Sequence, residues 1–168
     1  MARAGFWSVG GYKISFRKDG RWYADDEPIP NERIARLFSR HLGPDGSGGW
    51  VIDVGIDRHS VTVEDTPLVV RRIEGDPERG FRILTNDGIT DELDCTTLEV
   101  GSGDVLYCTV ERGEKRGRMR ARFLRPAYYE LARHIDFEGH RPVLHCRGRD
   151  YPLRGSAPDA ESAATHDA

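Results

Sequence analysis

Short apolar runs that alternate with polar residues recur along most of this chain, with turn signals between them. Alternation at every second residue is typical of a strand that buries one face. Glycine, proline and Asp-Gly pairs between the runs favour tight turns, because they accept the backbone angles that hairpins need. The pattern predicts a fold made mainly of short strands in antiparallel hairpins. The predicted strands cover residues 12–17, 21–24, 50–54, 60–64, 68–73, 81–85, 89–93, 98–100, 105–110, 118–123, 143–146 and 149–153.

Two segments depart from this alternation and show helical spacing. After Asn31, the apolar positions Ile34, Leu37, Phe38 and Leu42 lie three or four residues apart, which is the stripe of an amphipathic helix. Glycine and proline directly after Leu42 end that helix. A second helix is predicted over residues 126–136, with a proline in its first turn. Two helices among many hairpin strands predict an α+β fold rather than a doubly wound sheet.

The two halves of the chain repeat this order of elements. Each half has strands, an extended proline-containing segment, one helix and then a strand pair. We therefore expect two similar small subdomains, each made mostly of antiparallel strands packed on one helix. The glycine- and proline-containing stretch 75–80 is the expected joint, so the N-terminal subdomain covers 12–76 and the C-terminal subdomain covers 80–153. Residues 155–168 are small, polar and acidic, and are expected to be disordered.

Composition restricts the class of protein and its partners. The chain has 168 residues, which suffices for one compact domain or two small subdomains with a shared core. Its net charge of −3 provides no general attraction to nucleic acid or to an anionic membrane, and neither is expected as a partner. No apolar run approaches the roughly 20 residues of a membrane-spanning helix. Residues 1–11 lack the apolar core of a secretory signal.

Cysteine usage indicates the compartment. Cys95, Cys108 and Cys146 are odd in number, widely spaced and outside any CxxC pair. Reduced thiols fit this arrangement better than a disulfide framework or a zinc site. We therefore expect a cytoplasmic protein.

The segment Val61–Val70 is the best candidate for a site, because two strand-type runs flank Glu64, Asp65, Thr66 and Pro67. Neighbouring residues on a strand point to opposite faces, so Glu64 and Asp65 form a carboxylate pair only where the chain bends. Proline makes such a bend plausible, since it removes a hydrogen-bond donor from the sheet. A structural corner is the favoured interpretation. Ligand or metal binding and general acid–base catalysis are the alternatives.

Arg118, Arg120 and Arg122 form a second candidate, which we call the arginine stripe. Alternation places the three side chains on one face of a strand, about 7 Å apart. Arginine forks hold carboxylates and phosphates by two-point contacts, so a small anionic ligand is one interpretation. A solvated edge strand is the other, because charges there block aggregation. Pairing with Glu64, Asp65 or Glu111 would also account for the charges.

The motifs of several common enzyme classes are missing from the sequence. The six histidines show no HExxH or HxH spacing, and there is no nucleophile elbow, phosphate-binding loop or dinucleotide fingerprint. We therefore expect no metal and no cofactor. Asn86, Asp87 and Gly88 are interpreted as a turn. Arg33, Arg36 and Arg40 are interpreted as the solvated face of the first helix, and a nucleic-acid surface is disfavoured.

Four blocks of residues stand out by their order and spacing. They are residues 19–23 with 28–29 and 34–39, residues 63–67, residues 84–88, and residues 128–131 with 151–153. Together they resemble the bacterial DUF1285 family, a domain of unknown function, and the Val-Glu-Asp-Thr-Pro and Thr-Asn-Asp-Gly blocks are the more specific parts. The resemblance covers roughly residues 12–153 and implies a compact α+β fold with two similar subdomains. It implies no established activity, cofactor or catalytic residue.

The leading functional hypothesis is an uncharacterised bacterial ligand-binding or regulatory module without catalytic activity, with a role in signalling as one form of it. Its partner would be a small anionic ligand or another protein, and the chain could form a homo-oligomer. One alternative is an enzyme of unrecognised type that uses Glu64 or Asp65 with arginines on an anionic substrate. Another is a structural or oligomerisation domain.

Overall fold

A computed structural model describes residues 11–155. The C-terminal tail was expected to be disordered, and its residues 156–168 lie outside the described part of the chain. Within it the helices are α1 (Glu32–His41), α2 (Gly113–Arg116) and α3 (Arg125–Ala132). The strands of residues 11–155 are β1 (Ile14–Phe16), β2 (Trp22–Ala24), β3 (Glu27–Pro28), β4 (Leu42–Pro44), β5 (Trp50–Asp53), β6 (Arg58–Val63), β7 (Leu68–Asp76), β8 (Gly80–Thr85), β9 (Thr90–Glu92), β10 (Glu99–Val100), β11 (Leu106–Glu111), β12 (Arg118–Phe123), β13 (Ile135–Glu138), β14 (Arg141–Cys146), β15 (Arg149–Pro152) and β16 (Arg154–Gly155).

The strands form two large sheets and one small one. The first large sheet has the order β3-β2-β1-β6-β5-β4, and we call it, together with α1, the first unit. The second has the order β9-β8-β7-β12-β11-β10-β16, and its strands form the second unit. Strands β13, β14 and β15 form the C-terminal sheet. The α+β fold class is confirmed.

The two units share one sheet topology, which confirms the expectation of two similar subdomains. In the first unit, β1 pairs in parallel with β6, and the other neighbouring strands pair antiparallel. In the second unit, β7 pairs in parallel with β12, and β8 to β11 repeat the antiparallel order of β2 to β5. Strand β16 is an addition, parallel to β10. The repeat therefore lies in strand pairing, which residue identity between the halves hides.

The helices do not follow this repeat. Helix α1 connects β3 to β4 and packs against β5. The equivalent connection of the second unit holds only a short 3₁₀ turn at Cys95–Thr97, and α3 instead follows β12 and packs on β7. Helix α3, which corresponds to the helix predicted over residues 126–136, is also shorter than predicted and ends at Ala132. Its expected last residues belong to β13, because the turn at Gly139 lets this segment pair with β14 as a hairpin.

Strand β7 connects the two units, and its first three residues, 68–70, are buried on both faces of the strand. Leu68 and Val70 lie in the core of the second unit, whereas Val69, between them, lies in the core of the first. The change from one sheet to the other therefore falls at residues 64–67. Residues 75–80, where the sequence places the joint between subdomains, form the turn of the β7–β8 hairpin. None of the helices within residues 11–155 is long and apolar enough to span a membrane.

Candidate ligand-binding cleft

Glu64 and Asp65 turn to different partners. Oε2 of Glu64 accepts a hydrogen bond of 2.8 Å from the backbone N–H of Lys18, in the turn after β1. Oδ2 of Asp65 accepts hydrogen bonds of 2.8 Å from the hydroxyl of Tyr107 and from Nη1 of Arg122. Burial and the hydrogen bond to Asp65 raise the pKa of Tyr107. The two carboxylates thus hold the corner between β6 and β7 to two different parts of the fold.

The arginine stripe is on one strand, and each of its members has a carboxylate partner. Arg118 pairs with Glu111 at 3.0 Å, and Arg122 pairs with Asp65 at 2.8 Å. Arg120 pairs with Glu99 at 2.9 Å, and its guanidinium lies 3.8 Å from the ring centroid of Tyr107. Each guanidinium of the stripe thus already has a carboxylate that balances its charge. The interpretation of the stripe as an anion site therefore loses its main support.

The structure instead brings together a buried polar cluster that sequence reasoning took for a turn. Asp87 is 0% exposed, although it follows β8 in a loop. Its Oδ2 lies 2.8 Å from Nε of Arg112 and 3.3 Å from Nη1 of Arg116. The hydroxyl of Thr85 donates to Oδ1 of Asp87 at 2.5 Å, and Arg112 also contacts Asp91 as an ion pair of 2.8 Å. The charge of a fully buried carboxylate is thus compensated by two arginines.

Electrostatics in this cluster favour the ionised carboxylate. Burial alone would raise the pKa of Asp87, but hydrogen bonds from Arg112 and Thr85 and the charges of Arg112 and Arg116 outweigh it, so the pKa is lowered. Burial works against the charge of Arg112 as well. The hydrogen bond and charge of Asp87 overcome that effect and raise the pKa of Arg112. The cluster is therefore ionic at neutral pH.

Arg116 extends this cluster from the second unit to the first. Its Nη2 donates to the backbone carbonyl of Ser39 at 2.7 Å, and its Nε donates to that of Leu42 at 2.8 Å. Both carbonyls belong to the C-terminal end of α1, where intrahelical partners run out. Nε of Arg40 completes the contact by donating to the carbonyl of Asp87 at 3.1 Å. The end of α1 is thereby fixed to the loop after β8.

A second set of buried hydrogen bonds converges on the Ser39 side chain. Oγ of Ser39 accepts from Nε1 of Trp22 at 2.9 Å and from Nδ2 of Asn86 at 2.7 Å. Oδ1 of Asn86 accepts from the N–H of Val69 at 2.9 Å, and the N–H of Asn86 donates to the carbonyl of Val69 at 3.2 Å. Three segments from both units therefore meet at one hydroxyl.

A cleft of about 650 Å³ lies above this hydroxyl. The β1–β2 turn, the segment that connects β3 to α1, and α1 itself form one side of it, and the end of β8 forms the other. We call it the interunit cleft, because both units line it. Ser39, Thr85 and Asn86 are its buried polar residues. Its other lining residues are Gly20, Arg21, Trp22, Pro28, Ile29, Pro30, Glu32, Ala35, Arg36, Arg71, Leu84 and Gly88.

The interunit cleft carries an excess of positive charge. Arg21, Arg36 and Arg71 line it together with one carboxylate, that of Glu32. Among the ion pairs of residues 11–155, none involves any of these four side chains. This distinguishes the cleft from the arginine stripe, where each guanidinium is already paired. Guanidinium groups that have no carboxylate partner among residues 11–155 suit an anionic ligand.

A β-bulge places Arg71 at the cleft. In the β7–β8 ladder Val70 faces Thr85 and Arg72 faces Leu84, so Arg71 is the extra residue of β7. A bulged residue leaves the regular alternation and can aim its side chain away from the sheet face. Nη2 of Arg71 donates to the carbonyl of Gly20 at 3.2 Å, at the rim of the cleft.

The sequence contained a weak signal for this site. Thr85, Asn86 and Asp87 are three polar residues in succession at the end of an apolar strand, and all three are buried. Thr85 was predicted as the end of a strand, Asn86 and Asp87 as part of a turn, and Arg36 as part of a solvated helix face. Within residues 11–155, no group of histidine, cysteine, aspartate and glutamate side chains is arranged to hold a metal ion.

Two crystal structures of DUF1285 family proteins are similar to this chain. The protein from Silicibacter pomeroyi DSS-3 has a TM-score of 0.67 and 19% sequence identity, over 84% of this chain and 79% of the other. The protein from Shewanella baltica OS155 has a TM-score of 0.57 and 21% identity, over 73% of this chain and 92% of the other. They share the fold that the resemblance to this family implies. No protein-family model and no curated protein matches the chain.

Proposed function

We propose that this chain is a cytoplasmic member of the DUF1285 family that acts as a non-catalytic ligand-binding module, with the interunit cleft as its site. The ligand is a small anion that carries hydrogen-bond acceptor oxygens. This proposal keeps the ligand class expected from the sequence. It moves the site from Glu64, Asp65, Arg118, Arg120 and Arg122 to the cleft.

The hydroxyl of Ser39 is the observation that carries the proposal. A serine oxygen has two lone pairs and one O–H donor. Trp22 and Asn86 occupy both lone pairs of Ser39, so only the O–H group is left. No acceptor for that donor is found among residues 11–155, and Ser39 lines the cleft. An oxygen of an anionic ligand would supply the acceptor.

The charges around the cleft support the same ligand class. Arg36 and Arg71 come from different units, so one anion between them would contact both. Hydrogen bonds from a charged donor contribute about 1.5–3 kcal/mol each, more than neutral ones do. The positive charge of the three arginines thus exceeds the negative charge of the single carboxylate, that of Glu32.

Binding is favoured over catalysis by the residues that line the cleft. No histidine or cysteine is found among its described lining residues, and Glu32 is the single carboxylate. Ser39 has no base that would accept its proton, because both of its partners are donors. Nucleophilic catalysis by serine needs such a base. A ligand that contacts both units would instead change how the two units pack against each other. A regulatory module can transmit such a change to another protein.

A thermal-shift screen of the full chain with phosphate, pyrophosphate, citrate and nucleoside phosphates tests the proposal. Arg36→Ala is the test variant, and Arg33→Ala is its matched control, because Arg33 lies on the same helix but does not line the cleft. We expect at least one compound to raise the Tm of the wild type and of Arg33→Ala, and to lose that effect in Arg36→Ala.

Three results of this screen would contradict the proposal. A shift that survives in Arg36→Ala would place the ligand outside the cleft. No shift with any compound would favour the structural or oligomerisation alternative. Turnover of a compound during the assay would support the enzyme alternative.

A further inference from the structure

A second groove, of about 310 Å³, lies between the second unit and the C-terminal sheet. Cys95 and Cys146 both line it, with Leu93 and Arg147 beside them. Cys95 starts the 3₁₀ turn after β9, and Cys146 is the last residue of β14. The groove therefore connects solvent to two thiols that are 7% and 5% exposed, one on the 3₁₀ turn of the second half of the chain and one on the C-terminal sheet.

The two cysteines line the same groove and influence one another electrostatically. Burial raises the pKa of Cys95 to about 12, and the charge and hydrogen bonding of Cys146 add to that effect. The Cys95 thiol therefore keeps its proton at neutral pH. Cys108 has a different environment, since it is 1% exposed and does not line the groove.

We propose that Cys95 and Cys146 form an oxidisable dithiol that reacts with a hydroperoxide and closes a disulfide between the second unit and the C-terminal sheet. The site is separate from the interunit cleft: its lining includes Gly80 and Phe81 at the start of β8, whereas the cleft lies at the end of that strand. Transient disulfides of this kind are the form in which cytosolic proteins sense oxidants.

The reaction balances in two steps. The Cys146 thiolate attacks one oxygen of the hydroperoxide, so an S–O bond forms, the O–O bond breaks and the departing oxygen takes up the proton that Cys146 released. The Cys95 sulfur then attacks the sulfenic sulfur of Cys146. An S–S bond forms, the S–O bond breaks, and the hydroxyl leaves as water with the Cys95 proton. The two thiols lose two electrons, which reduce the hydroperoxide to water and an alcohol, or to two waters with hydrogen peroxide.

Such a disulfide would strengthen an existing contact between the C-terminal sheet and the second unit. Arg147 follows Cys146 directly, its N–H donates to the carbonyl of Pro77 at 2.7 Å, and its guanidinium forms an ion pair with Glu92. A Cys95–Cys146 bond would add a covalent link at this contact. The C-terminal sheet would then separate from the second unit less readily on heating.

Peptide mapping of the folded full chain after treatment with hydrogen peroxide tests the proposal. Free thiols are alkylated, and the digest is analysed by mass spectrometry with and without dithiothreitol. We expect a Cys95–Cys146 linked peptide that dithiothreitol cleaves, a Cys108 thiol that is alkylated only after unfolding, and a Tm several degrees above that of the reduced protein.

Cys108→Ala is the matched control and retains the linked peptide, whereas Cys95→Ser and Cys146→Ser lose it and the rise in Tm. If a serine variant fails to fold, the peptide map of the oxidised wild-type chain still shows whether Cys95 and Cys146 are linked. Three free thiols after oxidation, a disulfide that includes Cys108, or a bond between two chains would overturn the proposal.

Discussion

Nδ2 of Asn86 donates a hydrogen bond of 2.7 Å to Oγ of Ser39, although 47 residues separate the two and each belongs to a different unit. The remaining groups of Asn86 hold Val69 on β7. One amide thus links the helix of the first unit, the loop after β8 and the shared strand between them. The floor of the interunit cleft is therefore built by the contact that joins the units.

Asn86→Ala should destabilise the protein and disturb the cleft floor. The substitution removes the acceptor of the Val69 N–H and the donor to Ser39, both in a buried site, so we expect a loss of about 1–3 kcal/mol in the free energy of unfolding. Chemical denaturation measures it. Ser47→Ala, which removes a hydrogen bond in an exposed loop, is the control and should stay close to the wild type. Equal stability of Asn86→Ala and wild type would argue against this account of the joint.

Asp87→Asn should weaken the protein mainly at neutral pH. The native pKa of Asp87 is lowered, so the stabilisation is present above the unfolded pKa of about 3.9 and is lost as the pH falls through the native value. Removing one partner of a buried ion pair costs about 3–5 kcal/mol. The gap in unfolding free energy between wild type and variant should be widest near pH 7 and narrow in acid.

Asp26→Asn is the control for that measurement, because Asp26 pairs with Arg17 at the surface. Exposed pairs contribute at most about 1 kcal/mol. A gap between Asp87→Asn and wild type that stays constant from neutral to acid pH would show that the carboxylate charge of Asp87 does not stabilise the fold.

Gly75→Ala should be more destabilising than Gly46→Ala. Both glycines have positive φ, +121° and +87°, so an alanine is strained at either position by about 1–2 kcal/mol. A Cβ at Gly75 would also lie 2.1 Å from the carbonyl oxygen of Gly80, whereas Gly46 has open space around it. Thermal unfolding compares the two variants. The same Tm for both would mean that the β7–β8 hairpin turn tolerates a side chain.

Arg120→Ala should leave both stability and ligand binding almost unchanged. Its pair with Glu99 is partly exposed and worth about 1 kcal/mol at most. Arg120 does not line the interunit cleft. The thermal shift produced by an anionic compound should therefore equal that of the wild type, measured in the same screen. Loss of the thermal shift in Arg120→Ala would indicate that the ligand binds at the arginine stripe and not in the interunit cleft.

The sequence was sufficient for the fold class and for most strands, because those depend on local alternation and turn residues. It did not predict β3, β4, β13 and β16, and residues 42–44, which form β4, were interpreted as the end of the first helix. The repeat of strand order was visible as a pattern, but the exchange of a helix for a 3₁₀ turn at Cys95–Thr97 was not. In the second unit the helix is α3, and it packs on β7, which lies about fifty residues earlier in the chain. Such a long-range contact leaves no local pattern in the sequence. Likewise, β13 appeared helical, because only pairing with β14 makes it a strand.

The site could not be derived from spacing for a related reason. Ser39, Arg71 and Asn86 lie far apart in the chain and meet only when the two units pack. The Glu64–Asp65 pair and the arginine stripe were prominent in the sequence because each is local. Whether Glu64, Asp65 or the stripe takes part in any binding stays a prediction, as do the protein partner, the homo-oligomer and the signalling role.

An NMR titration of the isotope-labelled chain with the anion that gives the largest thermal shift is the most direct test of the cleft as the ligand site. The Trp22 indole N–H and the Asn86 side-chain amide both donate to Ser39, so their resonances report on the cleft floor. We predict that these two signals and the backbone amides of Ser39 and Gly88 shift most, with Arg36→Ala abolishing the response. Largest shifts at Arg118, Arg120 and Arg122, or no shift at the Trp22 indole, would contradict the account.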